Sequence, residues 1–361
     1  MMPLRPELRV SGIASEQCTV FKSAMCPFLL SFKIDRPEAG RQTMLLREES
    51  LSDSEVDGAA PSEYSLDSEN GAGDHDEQDG AEMESKQNAT VRKQNQVRSY
   101  RELIDLDRDE FYKVIWKNGD DLRQDQLIIQ MITLMDSLLR EVNLDLCLTP
   151  YPVLATGIDN GMLEFVPDST AIAGILKQYD DNISTFFTSH AGKGGKLKRI
   201  VDTFVRSCAG YSVITFLLGV GDRHLDNLLI TKSGRLFHID FGFIYGDDPK
   251  PWPPPIKLNK QMIDAMGGYN SVQFKQFQKN MVSCYNELRK KAPLILNLLS
   301  LMGQGNMHEI EENVNFVYSK FRLDLNAEQA SAYLLNLMEE SVNALFTKVV
   351  DKIHDWATYW R

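Results

Sequence analysis

Cysteine is scarce in this chain of 361 residues. Its five copies, Cys18, Cys26, Cys147, Cys208 and Cys284, are odd in number, widely spaced and form no C-x-x-C pair, which argues against a disulfide framework and against structural zinc. Long apolar runs are missing as well. The most apolar stretches, 211–220 and 294–302, fall well short of the roughly 18 residues that a membrane span needs. Residues 1–10 carry Arg and Glu and no apolar core, so they do not read as a secretory signal, and the chain reads as intracellular. No internal repeat is visible. Basic residues are absent from one segment: 48–85 holds 14 Asp and Glu and no Lys or Arg. The chain as a whole has 39 basic and 51 acidic residues, a net charge of -12. Setting that segment aside leaves 37 acidic residues against the 39 basic ones, a remainder of +2. The acidity is local, and it does not exclude an anionic membrane surface as a partner.

What is present suits one large domain or two lobes, with 43% hydrophobic residues available for a core. The segment from about 35 to 99 is poor in aromatics and rich in Ser, Glu, Asp, Gly and Gln. Such a composition cannot bury enough surface to offset chain entropy, and it is expected to be a disordered insertion. Ser52 and Ser54 sit among acids, a context that suits an acid-directed protein kinase and equally a solvated charge run.

Residues 19–34 read as two strands joined across 22–27, and 111–117 as a strand ended by Asn118-Gly119. A helix is expected next. Asp121 and Gln124 have capping-box spacing, and Leu127, Met131, Leu134, Met135 and Leu138 recur at helical intervals to about Val142. Strands near 153–155 and 162–166 lead into a helix-rich second half, with helices over about 199–219 and from Asn326-Ala-Glu-Gln329 toward His354. Strand-rich first, helix-rich second, this order predicts a bilobed α+β protein.

Two linked motifs carry the chemistry: Gly221-Asp-Arg-His-Leu-Asp-Asn227 and Leu236-Phe-His-Ile-Asp-Phe-Gly242. Between them, two apolar runs around Ser233-Gly234 read as a β-hairpin. The midpoint of Asn227 and Asp240 falls between Ser233 and Gly234, so an in-register hairpin brings both side chains to its open end, where two oxygen ligands can share magnesium. Asp222 and Asn227 are five apart, and Asn227 and Asp240 thirteen. This is the spacing of catalytic Asp, metal-binding Asn and D-F-G Asp in protein kinases.

The loop reads Asp-Arg-His rather than His-Arg-Asp. With Gly119-Asp-Asp-Leu-Arg-Gln-Asp-Gln126 it resembles the phosphatidylinositol kinases and their protein-kinase relatives. Phe21-Lys-Ser-Ala24 with Pro27, Asn143-Leu-Asp-Leu146, Leu148-Thr-Pro-Tyr151, Ser207-Cys-Ala-Gly-Tyr211, Asp248-Pro-Lys-Pro-Trp-Pro-Pro-Pro255, Lys320-Phe-Arg-Leu-Asp-Leu325 and the ending Tyr359-Trp-Arg361 narrow the resemblance. It is to the catalytic domain of class III phosphatidylinositol 3-kinases, over residues 10–361 apart from the acidic insertion. The resemblance implies a protein-kinase-like lipid kinase fold. Residues 1–165 would form a partial N-lobe and 166–361 a C-lobe, with catalytic loop 221–228, activation loop 240–258 and a membrane-proximal C-terminal helix.

The roles implied follow the demands of phosphoryl transfer, in which positioning and charge neutralisation supply most of the catalysis. Asn227 and Asp240 would hold Mg2+ or Mn2+ against the phosphates of ATP. Lys117 would neutralise those phosphates, with Asp125 near it. Lys22, Ser23 and Ala24 would lie over the phosphates, although this segment lacks the glycines of other phosphate loops. Tyr151, Glu164, Phe165, Val166, Phe237 and Ile239 would surround the adenine. His224 is the candidate general base toward an inositol hydroxyl, histidine being the side chain whose ordinary pKa leaves a neutral fraction at cellular pH; a structural role in a tight loop is the alternative. Asp222 would orient the loop or assist the proton transfer. Lys250 and Lys257 are the basic residues of the activation loop, which suits unphosphorylated phosphatidylinositol, whereas the family usually has Arg at the position of Asp247. Trp356, Tyr359, Trp360 and Arg361 fit an interfacial membrane contact or docking onto the C-lobe.

Further expectations follow from the resemblance. They are 3-hydroxyl phosphorylation in autophagy and endosomal trafficking, a cytoplasmic protein peripheral on those membranes, and no nucleic acid or transmembrane span. A protein-kinase-like regulatory subunit and a coiled-coil subunit would be partners. Class III enzymes carry C2 and helical domains ahead of the kinase domain, and only 20 residues precede Phe21 here. The chain therefore reads as shortened, and expressed alone it is expected to expose apolar surface. A phosphatidylinositol 4-kinase or related protein kinase, and an inactive scaffold, are the rival readings.

Overall fold

The computed structural model describes residues 1–22, 26–35, 110–192, 196–303 and 307–359, with the backbone only at 307 and over 346–359. The expected acidic insertion, Ser23, Ala24, Trp360 and Arg361 lie outside the described residues, as do the side chains of Trp356 and Tyr359. The chain divides into two compact units, Met1–Gly12 with Phe32–Tyr112, and Ile13–Ser31 with Lys113–Arg361. In the first, the amides of Ile34 and Asp35 donate to the carbonyls of Glu110 and Arg9 at 3.0 and 2.9 Å. Every described residue of the candidate site belongs to the second.

Nine strands occur among the described residues: β1 Val10–Ile13, β2 Thr19–Val20, β3 Phe28–Ile34, β4 Phe111–Asn118, β5 Val153–Ala155, β6 Asn160–Glu164, β7 Ser169–Ala171, β8 Leu228–Thr231 and β9 Leu236–His238. The expected strand pair around 22–27 forms, with Thr19 opposite Leu29 and Val20 opposite Phe28. Strand β6 pairs antiparallel with β4, placing Ile115 opposite Leu163, and with β5, placing Val153 opposite Leu163. A separate sheet runs β7-β8-β9. The described helices are α1 Arg123–Glu141, α2 Ile172–Gln178, α3 Ile183–Ala191, α4 Lys196–Leu217, α5 Lys260–Ala265, α6 Val272–Lys290, α7 Ala292–Met302, α8 Met307–Phe321 and α9 Ala327–Tyr359. Mixed helices and strands, strand-rich first and helical later, match the fold class expected from the sequence.

Helix α4 is the spine of the core. Its residues from Ser207 to Leu217 are all buried, and it packs against α6. By length and composition it could cross a membrane, but 78% of its most apolar window is buried within the protein, as in a core helix. The run 211–220 that looked too short in sequence supplies the last seven residues of this longer element and continues past its end.

The helix start expected at Asn326-Ala-Glu-Gln329 forms as a capping box, whereas the box expected at Asp121 does not. At α9 the Asn326 amide donates to Gln329 Oε1 at 3.1 Å, and the Gln329 amide returns a bond to Asn326 Oδ1 at 2.9 Å. At α1 the box does not form. Asp121 instead accepts from the Arg123 backbone amide at 3.0 Å and pairs with the Arg123 guanidinium, while the Gln124 side chain donates through Nε2 to the Phe241 carbonyl at 2.8 Å. A tertiary partner outcompetes the cap, and it lies beside the candidate metal ligand.

Candidate active site

Alternation along β4 puts Tyr112 and Val114 on one face and Ile115 and Lys117 on the other. The second face forms one wall of a cavity of about 820 Å³, within the range typical of small-molecule sites. Leu163, opposite Ile115, continues that wall, and Glu164, Phe165 and Val166 follow it. The facing wall comes from the β8–β9 hairpin. Its register sets Leu229 opposite Phe237, and both line the cavity together with Asn227 and Ile239, their neighbours two residues away on the same face. Tyr151 closes the floor, fully buried and edge-on to Phe237 with ring centroids 5.9 Å apart. Burial pushes its phenol well above the usual range, so it stays neutral and part of an apolar wall.

The hairpin register differs from the expected one. Thr231 and Arg235 close a three-residue loop, Lys232 to Gly234, through a 2.9 Å bond from the Thr231 amide to the Arg235 carbonyl. Gly234 takes φ 91, and a Cβ there would run into the Ile200 carbonyl. The pairing is therefore centred on Ser233: Asn227 stands opposite Ile239, whose amide donates to the Asn227 carbonyl at 3.1 Å. By alternation Asp240 would face away from the cavity. Its left-handed backbone, φ 61, turns the chain so that Asp240 lines the cavity with Asn227.

That strained residue is gripped through its backbone. Arg223 donates to the carbonyls of Ile239, at 2.8 Å, and of Asp240. Gln124 holds the Phe241 carbonyl, and Asp125 Oδ1 accepts from the Phe241 amide at 3.3 Å. Consecutive residues at the start of α1 thus hold both polar groups of Phe241. Burial pushes the Asp125 carboxyl up to about 6, against the pull of the Lys117 charge and the Phe241 amide. The ion-pair partner of Lys117 is Asp120 at 2.7 Å, a residue that sequence reasoning missed although Asn118-Gly119 places it one turn away. Ile115, Leu163, Leu229, Ser169, Gly119, Phe21 and Pro27 also line the cavity and were not foreseen. Stepping two residues from Lys117 and Asn227 would have found Ile115 and Leu229.

Asn227 is buried, and its side-chain NH2 donates to the Asp222 carbonyl at 3.1 Å. That bond leaves Oδ1 as its acceptor end. With the Asp240 carboxylate it makes a pair of hard oxygen donors beside a cavity holding Lys117. The set fits a divalent cation held jointly with phosphate oxygens better than a cage built wholly from protein. No cluster of three His, Cys, Asp or Glu able to hold a metal occurs among the described residues.

The structure brings Lys117, Asp125, Tyr151, Glu164, Phe165, Val166, Phe237, Ile239, Asn227 and Asp240 to one cavity. Lys22 is exposed and does not line it. Asp222 and His224 stand outside it, on the loop that Asn227 and Arg223 fasten to the hairpin. His224 is exposed, with Nε2 3.8 Å from Asp222 and Nδ1 3.9 Å from Asp226. Lys257 pairs with Asp248 at 2.9 Å, whereas Lys250 is exposed. His238 stacks on Tyr211 with centroids 5.0 Å apart, and burial holds its imidazole well below the usual range; it is a packing residue.

Comparison with known proteins identifies the family. Residues 111–311 match the phosphatidylinositol 3- and 4-kinase family. Phosphatidylinositol 3-kinase VPS34 of Arabidopsis thaliana is 52% identical over 256 residues, covering 69% of this chain and 31% of that protein. The protein of the same name from Saccharomyces cerevisiae is 46% identical over 257 residues, 69% of this chain and 29% of its own. Phosphatidylinositol 3-kinase pik3 of Schizosaccharomyces pombe is 38% identical over 371 residues, all of this chain and 37% of its own. The chain spans about a third of the length of these relatives. The family match covers the cavity lining apart from Phe21 and Pro27, the Asp-Arg-His loop and the Asp-Phe-Gly segment together, and the chain belongs to the phosphatidylinositol 3- and 4-kinase family.

Proposed function

We propose that the chain is the catalytic part of an ATP- and magnesium-dependent kinase that phosphorylates the inositol 3-hydroxyl of phosphatidylinositol, with manganese as the substitute ion. The observation that carries this reading is the convergence of Lys117, Asp125, Asn227 and Asp240 on one cavity with apolar walls. Kinases of this family use ATP with a divalent cation; bound to Asn227 and Asp240, the ion supplies charge neutralisation on the phosphates. Lys117 adds a fixed cation at the same end, and Asp120 and Asp125 hold the local charge balance around it. The adenine lies between Ile115 and Leu163 on one side and Phe237 and Ile239 on the other, within reach of the 164–166 backbone. His224 accepts the inositol hydroxyl proton, and Asp222 orients it.

Substrate choice rests on the segment 240–258. Of its two lysines, Lys257 is already paired with Asp248, which leaves Lys250 as the exposed cation. A headgroup with extra phosphates needs clustered basic groups, so the unphosphorylated inositol lipid fits best. On this reading residues 1–165 and 166–361 correspond to the N- and C-lobes of a kinase. The protein works at endosomal and autophagic membranes, beside a protein-kinase-like regulatory subunit and a coiled-coil subunit. The deciding assay supplies labelled ATP, magnesium and phosphatidylinositol vesicles and identifies the product isomer. The 3-phosphate is expected. A 4-phosphate, or no lipid product with ATP binding intact, overturns the reading.

A further inference from the structure

The segment 249–255 has five prolines in seven residues and carries Trp252 at its centre. Trp252 is 96% exposed, more than any other large apolar side chain among the described residues. It also takes φ 57, a left-handed backbone that costs a bulky residue on the order of 1–2 kcal/mol. An apolar ring left in water and a strained backbone at one position are two separate costs, and packing within the described protein offsets neither.

The feet of the segment are pinned. The carboxylate of Asp248, 5% exposed, accepts from the Lys250 amide at 3.0 Å and from Lys257 Nζ at 2.9 Å, so it clasps the chain on both sides of Trp252. Gly221, which opens the loop bearing His224, packs against the same residue, a Cβ there falling 3.0 Å from Asp248 Cα. Beyond the prolines, Ile256 is fully buried, and its amide donates at 3.0 Å to the hydroxyl of Ser341. At the other foot Gly221 lies so close to Asp247 that a Cβ would strike its carbonyl. The result is a stiff prong, mechanically continuous with the Asp222–His224 loop.

We propose that Trp252 is an interfacial anchor. Its indole inserts at the headgroup–acyl boundary of a bilayer and sets the height at which the Asp222–His224 loop meets a lipid headgroup. This rests on the lipid-kinase reading above, since a phosphoinositide precursor keeps its acyl chains in the membrane while its inositol reacts. A bilayer fits the prong better than a protein partner. A stable protein interface needs roughly 800 Å² per side, whereas a single indole flanked by prolines is a point contact of the kind that sits at membrane interfaces. A prong stiffened by proline loses little freedom on insertion. Its charge is nearly balanced, with Lys257 paired to Asp248 and the exposed Lys250 beside the exposed Asp247. The attraction is therefore apolar rather than coulombic and resists salt.

The test uses the full chain, vesicles of phosphatidylcholine containing phosphatidylinositol, and no nucleotide, with flotation read at low and high salt. Trp252→Asp should lower vesicle partition about tenfold at both salt concentrations. Trp252→Phe should keep most of it, with melting temperature and affinity for a fluorescent ATP analogue unchanged in both variants. Partition of Trp252→Asp equal to that of the parent overturns the anchor, as does binding by the parent that vanishes in high salt. A parent that partitions through Trp252 yet forms no lipid product sinks the kinase reading and leaves the anchor standing. Undiminished lipid phosphorylation and vesicle binding by Trp252→Asp does the reverse.

Discussion

The proposed nucleotide cavity and the loops proposed to face the lipid acceptor are built by opposite means. The cavity walls are regular: β4, β6, β8 and β9 contain no left-handed residue, and alternation alone sends Ile115, Lys117, Asn227, Leu229 and Phe237 inward. On the acceptor side, Asp222, Asp240, Tyr245 and Trp252 all have positive φ within 31 residues of chain. Their geometry is held from outside, by Arg223 and Gln124 on the carbonyls around Asp240 and by Asp248 on the Lys250 amide and the Lys257 ammonium. Each half is therefore vulnerable in its own way. Sheet geometry resists single substitutions, whereas a strained loop persists only while its holders do. Asp240 sits at the seam, belonging to the cavity by its side chain and to the strained segment by its backbone.

The largest effect is therefore expected there. Asp240→Ala should lower lipid phosphorylation by about three orders of magnitude or more, with only a small drop in melting temperature, since the exposed carboxylate accepts one bond, from the Gly242 amide at 3.3 Å, and Ala takes φ 61 less readily than Asp. Turnover within tenfold of the parent would refute its role as a ligand. On the acceptor side, Gly221→Ala forces a Cβ against the Asp247 carbonyl and must shift one strand of the clasp. A displacement near 1 Å costs on the order of a hundredfold in rate, and ATP-analogue affinity should hold because Gly221 does not line the cavity. Equal losses of rate and nucleotide affinity would show that the two regions are not separable.

Much of this division could be read in advance. Strand alternation, the Asp222–Asn227–Asp240 spacing and the Asn326–Gln329 cap are local patterns, and they survived folding. What could not be read depends on contacts distant in sequence. The single extra hairpin residue moved the register from between Ser233 and Gly234 onto Ser233, and a positive φ at Asp240 undid the consequence. Gln124 looked like half of a capping box because the partner that claims it, Phe241, lies 117 residues away. Lys117 found Asp120 as its nearest carboxylate rather than Asp125, since a turn brings three-residue neighbours together more reliably than a helix start brings eight-residue ones.

Asp125 offers a test of the cavity side by pH. Burial raises its pKa to about 6 from an ordinary 3.8, so the folded state binds the proton more tightly than the unfolded chain does. That stability is fully present below pH 4 and is lost as pH rises through 6. The loss is about 3 kcal/mol at 1.36 kcal/mol per unit of pKa. Without nucleotide, Asp125→Asn should match the parent below pH 4 and exceed it by about that amount at pH 7, although lipid turnover falls. Parallel stability–pH curves for the two proteins would mean that the carboxylate is not desolvated.

The smallest effect sharpens the comparison most. Gln124→Leu keeps the size of the side chain but removes the 2.8 Å bond to the Phe241 carbonyl. Losing one such bond to a strained segment costs about 1–1.5 kcal/mol, or roughly tenfold. If Gln124 only supports the fold, that cost appears in the melting temperature and leaves kcat alone. If it holds Asp240 in its left-handed turn, kcat falls about tenfold and the magnesium dependence of ATP-analogue binding weakens, while metal-free analogue binding stays put. Hydrogen exchange at 240–246 should then quicken, with the strands around Lys117 unaffected. Faster exchange in β4 as well would mean that the grip stabilises the cavity wall itself, and the boundary between a regular region and a held one would have to be redrawn.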